Sequence, residues 1–322
     1  MTRTEIIFQM NELGALSTPF FFILGYNQNL NILSTNPLHD EQLSFCISDD
    51  CKDIDLQRFP SRFYFSKTPI SIKEYKVGFD IVQQNIMLGN SYLVNYTCST
   101  PVQTNVSLDD LFQYSKAPFK LLLKNKFVVF SPERFVKIDN GHISTNPMKG
   151  TIDGAVPNAE EVILLDEKEA AEHATIVDLL RNDLSKVANR VIVKRYRYTE
   201  RIKTHDKILV QVSSEIEGVL PPDYKQNIGT IVSNLLPAGS VTGAPKDKTI
   251  AIIAQAESHS RGYYSGVFGY FDGVNLDSAV IIRYIEQTPH GMVFKSGGGI
   301  TANSILEKEY QEMIDKVYVP IF

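Results

Sequence analysis

The 322-residue sequence predicts one interwoven domain of mixed helices and strands, on three observations. Strand-like runs occur in both halves of the chain, amphipathic helical segments lie between them, and no Gly/Ser-rich or low-complexity linker marks a boundary. Apolar residues make 43% of the chain and charged residues 21%, the balance of a protein that packs a core.

Each element has a local signal. Phe20 to Leu24 is a β-rich run, followed by a stretch punctuated by Asn27, Asn29, Asn31 and Asn36. Residues 71–88 read as a helix with Val77, Ile81 and Met87 at roughly helical spacing, closed by Gly89-Asn90 as a C-cap. Tyr92 to Thr97 reads as a strand. Phe127 to Phe130 and Phe135 to Ile138 read as paired strands, and Asp139-Asn140-Gly141 as a hairpin turn into His142 to Thr145. Asp166 to Ala188, with acidic residues leading, is an amphipathic helix. Beyond it, Val191 to Tyr198, Ile208 to Ile216, Gly266 to Phe271, Ser278 to Glu286 and Met292 to Lys295 are strand-like. Ile228 to Leu235 and Lys246 to Glu257 look helical, and Ser304-Ile305-Leu306-Glu307 spells a capping box for a last helix to about Val317.

Charge and cysteine usage narrow the function classes. Lys and Arg number 32 against 37 Asp and Glu, a net charge of -5 with no basic tract, which argues against nucleic acid and for a small-molecule ligand. Cys46, Cys51 and Cys98 have neither an even framework nor zinc spacing, as expected in a reducing compartment. The longest amino-terminal apolar run, Pro19 to Leu24, is too short to span a membrane and lacks a cationic lead, so a cytoplasmic protein with no membrane contact is expected.

Four constellations could carry chemistry. Glu169/Glu172 and Glu309/Glu312 are E-x-x-E pairs, each on one face of an expected helix. Two such faces could share a hard cation, Mg2+ rather than a transition metal, because no His or Cys cluster accompanies them; plain solvated surface is the alternative. Gly297-Gly298-Gly299, between a strand and a capped helix, reads as a turn whose bare N–H groups receive carboxylate or phosphate, or as a tight structural turn. The run Gly239 to Lys246 is not a phosphate loop, because Pro245 displaces the lysine. Arg283 falls inside an apolar strand on the face of Ala279, Ile281 and Ile285, where an anion must meet it, either a ligand carboxylate or a neighbouring Asp or Glu. Lys149, between Met148 and Gly150, could act as a nucleophile if water is partly excluded, with Glu133 as a proton donor to the same cavity; pairing of Glu133 with a surface cation is the other option.

Over residues 75 to 318 these segments together resemble one family, the chorismate-utilising enzymes. SPERF, NPMKGT, KEAAEHATIVDLLRNDL, SVTGAPK, RGYYSGVFGY, IIRY and SGGGITANS…EKEYQEM occur in that family's order and approximate spacing. The resemblance implies an α+β fold in one domain, residues 1–322, with two large packed antiparallel sheets, outer helices and a central cleft; residues 75–318 would be the core and 1–75 a shortened amino-terminal part with no counterpart of the tryptophan site of larger members. It implies that Glu172 and Glu312 bind Mg2+ directly and Glu169 and Glu309 through water. Tyr264 and Arg283 would hold one substrate carboxylate, and the Gly297, Gly298 and Gly299 turn with Lys316 the other, with Thr151 and Gly243 on the same substrate surface.

Lys149 and Glu133 would be the catalytic pair. Members that aminate chorismate at C4, on the route to 4-aminobenzoate and folate, carry lysine where Lys149 stands, whereas anthranilate synthases carry alanine. Isochorismate and salicylate synthases activate water with a lysine at the position of Leu93. The resemblance therefore implies C4 amination, with ammonia supplied by a separate glutamine amidotransferase subunit, since no Cys-His-Glu glutaminase module is visible. Leu93 in place of Gln, Gln211 in place of His and Met148 in place of Ile depart from the pattern. Anthranilate synthesis and a non-catalytic chorismate-binding subunit are the alternatives.

Overall fold

In the computed structural model, residues 1–47, 62–203 and 208–321 are described. The chain opens with α1 (Arg3–Ala15), β1 (Phe20–Leu24), β2 (Asn31–Ser34), β3 (Leu43–Ile47) and β4 (Phe65–Lys67). Next come α2 (Ile72–Met87), β5 (Leu93–Thr104), α3 (Leu108–Tyr114), β6 (Phe119–Leu123), β7 (Phe127–Ser131), β8 (Arg134–Asp139), β9 (His142–Thr145) and β10 (Met148–Asp153). Helices α4 (Ala159–Leu165) and α5 (Glu167–Leu184) precede the long strands β11 (Asn189–Lys203) and β12 (Ile208–Val219). The remainder is α6 (Ile228–Asn234), β13 (Gly243–Ala244), α7 (Lys246–Ala256), β14 (Val267–Phe271), β15 (Leu276–Val280), β16 (Tyr284–Thr288), β17 (Gly291–Ile300) and α8 (Leu306–Asp315).

Two antiparallel sheets result. The first runs β10-β12-β9-β8-β15-β14-β1-β2 with β11 beside β12, and the second β13-β5-β17-β16-β7-β6-β3 with β4 beside β5. This is the α+β arrangement that the resemblance implies. Between the sheets lies the largest core: all five residues of β1 are fully buried, and Phe21 stacks on Phe45 of the opposite sheet with ring centroids 4.4 Å apart. Each such buried phenylalanine contributes roughly 1.5–3 kcal/mol of transfer free energy. The outer face of the second sheet is covered by α2, α7 and α8, which bury Tyr75, Phe79, Val82, Ile252 and Met313 against Val94 and Tyr96 of β5.

The structure corrects several expectations. Helix α2 forms with Ser71 as its N-cap, but its buried face is Tyr75, Phe79, Val82 and Ile86, while Val77 and Met87 are exposed. Helix α1 was not expected; Thr2 and Glu5 cap it reciprocally and Ile6 and Met10 anchor it. Strands β7 and β8 do not pair, because they belong to different sheets, and the run Ser278 to Glu286 is two strands, β15 and β16, also in different sheets. The Ser304 capping box is absent: Ile305 is the N-cap of α8 and Ser304 donates instead to Glu309 at 2.8 Å, while the helix ends at Asp315. Cys46 is disulfide-bonded, which runs against the reducing compartment expected from the cysteine usage, while Cys98 is a buried free thiol; Cys51 lies outside the described residues. Among the described residues no helix is long and apolar enough to cross a membrane.

Candidate active site

The chain crosses between sheets twice at one place. Pro132 and Glu133 link β7 to β8, and Ile281, Ile282 and Arg283 link β15 to β16. The crossings run side by side, since Phe130 donates its amide to the carbonyl of Arg283 and Val280 donates to that of Glu133, both at 3.1 Å. Arg283 is therefore not in a strand. Its φ of 53° lies in the left-handed region, which a side chain with a Cβ adopts only when the surroundings impose it.

Arg283 keeps a buried Nε with no hydrogen-bond partner, and no Asp or Glu pairs with it among the described residues. Of the two anions the sequence left open, the carboxylate of a ligand is the one this arrangement favours. Tyr264 stands nearby on a loop tied to the crossing, with Ser265 donating to Ile281 at 2.8 Å and Ile281 to Gly266 at 2.7 Å. Burial pushes its hydroxyl up to about 12, against the pull of Arg261 and Arg283, so it serves as a neutral donor.

Lys149 is placed by a bulge. Met148 faces Ser213 and Thr151 faces Gln211, so β10 carries one extra residue there, and Gly150 takes a φ of 80° that favours glycine. The Lys149 ammonium lies 3.5 Å from Glu172, with the two side chains 25% and 16% exposed. It also lies 3.5 Å from where a Cβ on Gly299 would stand.

The three glycines are not a turn. They continue β17, with Gly297, Gly298 and Gly299 opposite Thr97, Tyr96 and Asn95 of β5. A Cβ on Gly298 would stand 3.2 Å from Glu312 and 3.6 Å from Glu309, and one on Gly299 would stand 2.9 Å from Leu93. Their missing side chains leave a bare strip of sheet bordered by Lys149, Leu93 and the α8 carboxylates. Gly243, in β13, pairs with Val94 of the same β5.

Both E-x-x-E pairs are helical; the α8 pair borders this strip and the α5 pair lies against Gly150 and Lys149. Glu169 of α5 is 3.2 Å from the Cβ position of Gly150, and Glu309 of α8 is 4% exposed. Lys316 caps α8, 2.5 Å from Glu312, and donates to the carbonyl of Gly297 at 2.9 Å. Its side chain is 29% exposed, yet crowding around the ammonium lowers its pKa; Glu312 opposes this, and Arg283 and Lys149 reinforce it. Among the described residues no three acidic, histidine or cysteine side chains form a ready-made ligand cluster, and Glu172 and Glu312 each meet a lysine. As donors they are carboxylates only, which in kind suits a hard divalent cation.

Glu133 completes the site. The Ser240 hydroxyl donates to its carboxylate, and burial raises its pKa, opposed first by that bond and then by Lys149, Arg283 and Lys316. Ser240 was missed in the sequence because 107 positions separate it from Glu133. His173, beside Glu172, was also missed: it is fully buried, 2.7 Å from Ser214, and held neutral with a pKa lowered to about 4 by burial, then by Arg197 and Lys149. Thr151 is exposed on β10.

Residues 27–321 match the chorismate binding enzyme family. An uncharacterized PabA-like protein of Pasteurella multocida is 48% identical over 323 residues, covering all of both chains. Aminodeoxychorismate synthase component 1 of Salmonella typhimurium is 31% identical over 281 residues, 81% of this chain and 61% of that one. Among solved structures, anthranilate synthase component I from Streptococcus pneumoniae superposes with a TM-score of 0.64 at 26% identity, covering 83% of this chain and 60% of that one.

Proposed function

The chain belongs to the chorismate-binding enzyme family, and from that premise we propose that it is an aminodeoxychorismate synthase component I, aminating chorismate at C4. The observation that carries this reading is Lys149, turned by the β10 bulge onto the glycine strip within electrostatic reach of Glu133. An alanine there would leave no nucleophile.

In the proposed reaction Arg283 and Tyr264 hold one carboxylate of chorismate, and Lys316 beside the glycine strip holds the other. Once Lys149 has released its ammonium proton to solvent, its amine attacks C2, the ring double bonds shift, and the C4–O bond breaks as Glu133 delivers its proton, so the hydroxyl leaves as water. Ammonia then adds at C4, the double bonds shift back, the C2–N bond to Lys149 breaks, and the proton lost by the incoming amine returns to Glu133. Glu172 and Glu312, with Glu169 and Glu309 outside them, would hold Mg2+. When bound, the ion supplies positive charge that offsets the dianionic substrate and its departing oxygen. A glutamine amidotransferase partner would supply the ammonia.

Similarity to the Streptococcus pneumoniae anthranilate synthase component I keeps amination at C2 as the second reading. Product analysis separates the two. Purified chain with chorismate, Mg2+ and ammonium, followed by the lyase that removes pyruvate from 4-amino-4-deoxychorismate, yields 4-aminobenzoate under the proposal. Anthranilate without that lyase, or no product, would overturn it.

A further inference from the structure

Two residues beyond Lys316, the ring of Tyr318 stands over the guanidinium of Arg283, 5.4 Å from its Cζ to the ring centroid, and is 46% exposed. A guanidinium offers two kinds of surface: its edges carry N–H donors that fit a carboxylate, and its faces accept aromatic rings. The guanidinium lies over the ring of Tyr318, while its buried Nε has no hydrogen-bond partner among the described residues. That unmet donor is left for a carboxylate to take while the ring holds the cation.

The backbone of Arg283 is set by the crossing, but its long side chain has torsions of its own, and something must hold the plane of the fork. Tyr318 is placed to do so. Val317, before it, is 2% exposed, and its carbonyl accepts from Lys67 at 3.1 Å. After it, Lys116 donates to the carbonyl of Pro320 at 2.9 Å and Ile321 bridges Ser115. The tail is thus tied on both sides of a half-exposed ring.

We propose that Tyr318 is a positioning residue that sets the plane of Arg283 for the substrate carboxylate; this rests on the reading of chorismate as the ligand. The test is calorimetric titration of chorismate into wild type, Tyr318→Leu and Tyr318→Phe with Mg2+ present, alongside ammonia-dependent kinetics. The Leu variant should raise Kd and KM about five- to thirty-fold, the range that loss of a cation–π contact produces, with kcat within about two-fold. Tyr318→Phe, which keeps the ring, should restore binding to within about two-fold of wild type. Tyr318→Met takes the place of the Leu variant if that protein does not fold. Unchanged affinity without the ring, or equal weakening in the Phe variant, overturns the inference while leaving the proposed substrate standing. Wild type that binds no chorismate removes the substrate reading and this inference with it.

Discussion

The amide of Val280 donates to the carbonyl of Glu133 at 3.1 Å, joining the two segments that pass from one sheet to the other. A proton-holding carboxyl and an arginine with an unmet donor sit on those two segments. Neither can shift without straining ladders in both sheets, so their spacing is set by the fold and not by side-chain packing alone.

Lys149→Ala should lower C4 amination at least about a hundred-fold, because the substitution can no longer be split into two displacements. With chorismate and Mg2+ but no ammonia, intact-protein mass spectrometry of wild type should show a covalent gain of chorismate less one water, absent from the variant. Some anthranilate is expected from the variant, since C2 is then open to ammonia. An unmodified wild-type mass, with near-normal amination by the variant, would reduce Lys149 to an electrostatic role.

Glu133 must carry its proton to act, and burial holds its pKa above the ordinary carboxylate value. Activity should therefore fall as pH rises through that pKa, and Glu133→Gln should remove this limb along with about a hundred-fold or more of kcat. The Ser240 hydrogen bond favours the ionised form, so Ser240→Ala should move the limb to higher pH. A limb that stays in place or moves down would exclude Ser240 as a partner of the acid.

Chelation with EDTA should abolish turnover, and Mg2+ should restore it. Glu172→Ala and Glu312→Ala should each lose about a hundred-fold or more of activity with little change in melting temperature, since both side chains are partly exposed to solvent. Glu169→Ala and Glu309→Ala should lose less. Full turnover by Glu172→Ala in EDTA would dismiss the metal.

The purified chain should aminate with ammonium salts and show no glutamine-dependent activity until an amidotransferase subunit is added. Glutamine turnover by the single chain, followed as glutamate release, would refute the need for a partner.

Helix α5 was legible because its apolar residues repeat with helical period, whereas α8 was expected from a capping box that does not form. The sheet crossings were not legible. Ile281 and Ile282 favour extended structure as strongly as the strands around them, and nothing local says that Arg283 turns left-handed. Gly297 to Gly299 read as a turn because glycine usually marks one, whereas here close approach to β5 and the α8 carboxylates excludes side chains. Ser304 had the right spacing for a cap, but the nearly buried Glu309 takes its hydroxyl instead. The site motifs were visible one at a time, and the sheets that bring them together pair residues far apart in the chain.

Those three consecutive glycines lie inside the second sheet, where β-branched residues would hold a strand more firmly; each forgoes about 0.5–1 kcal/mol relative to alanine. At Gly297 the backbone carbonyl of Tyr96 bars any side chain, whereas at Gly298 and Gly299 only the side-chain ends of Glu312 and Leu93 stand in the way, so those two positions could be filled at the cost of the open strip. Directed evolution toward heat resistance should accordingly accept changes elsewhere in the sheets long before it accepts one in this strip, and a hardened variant that fills it should be a folded protein without catalysis.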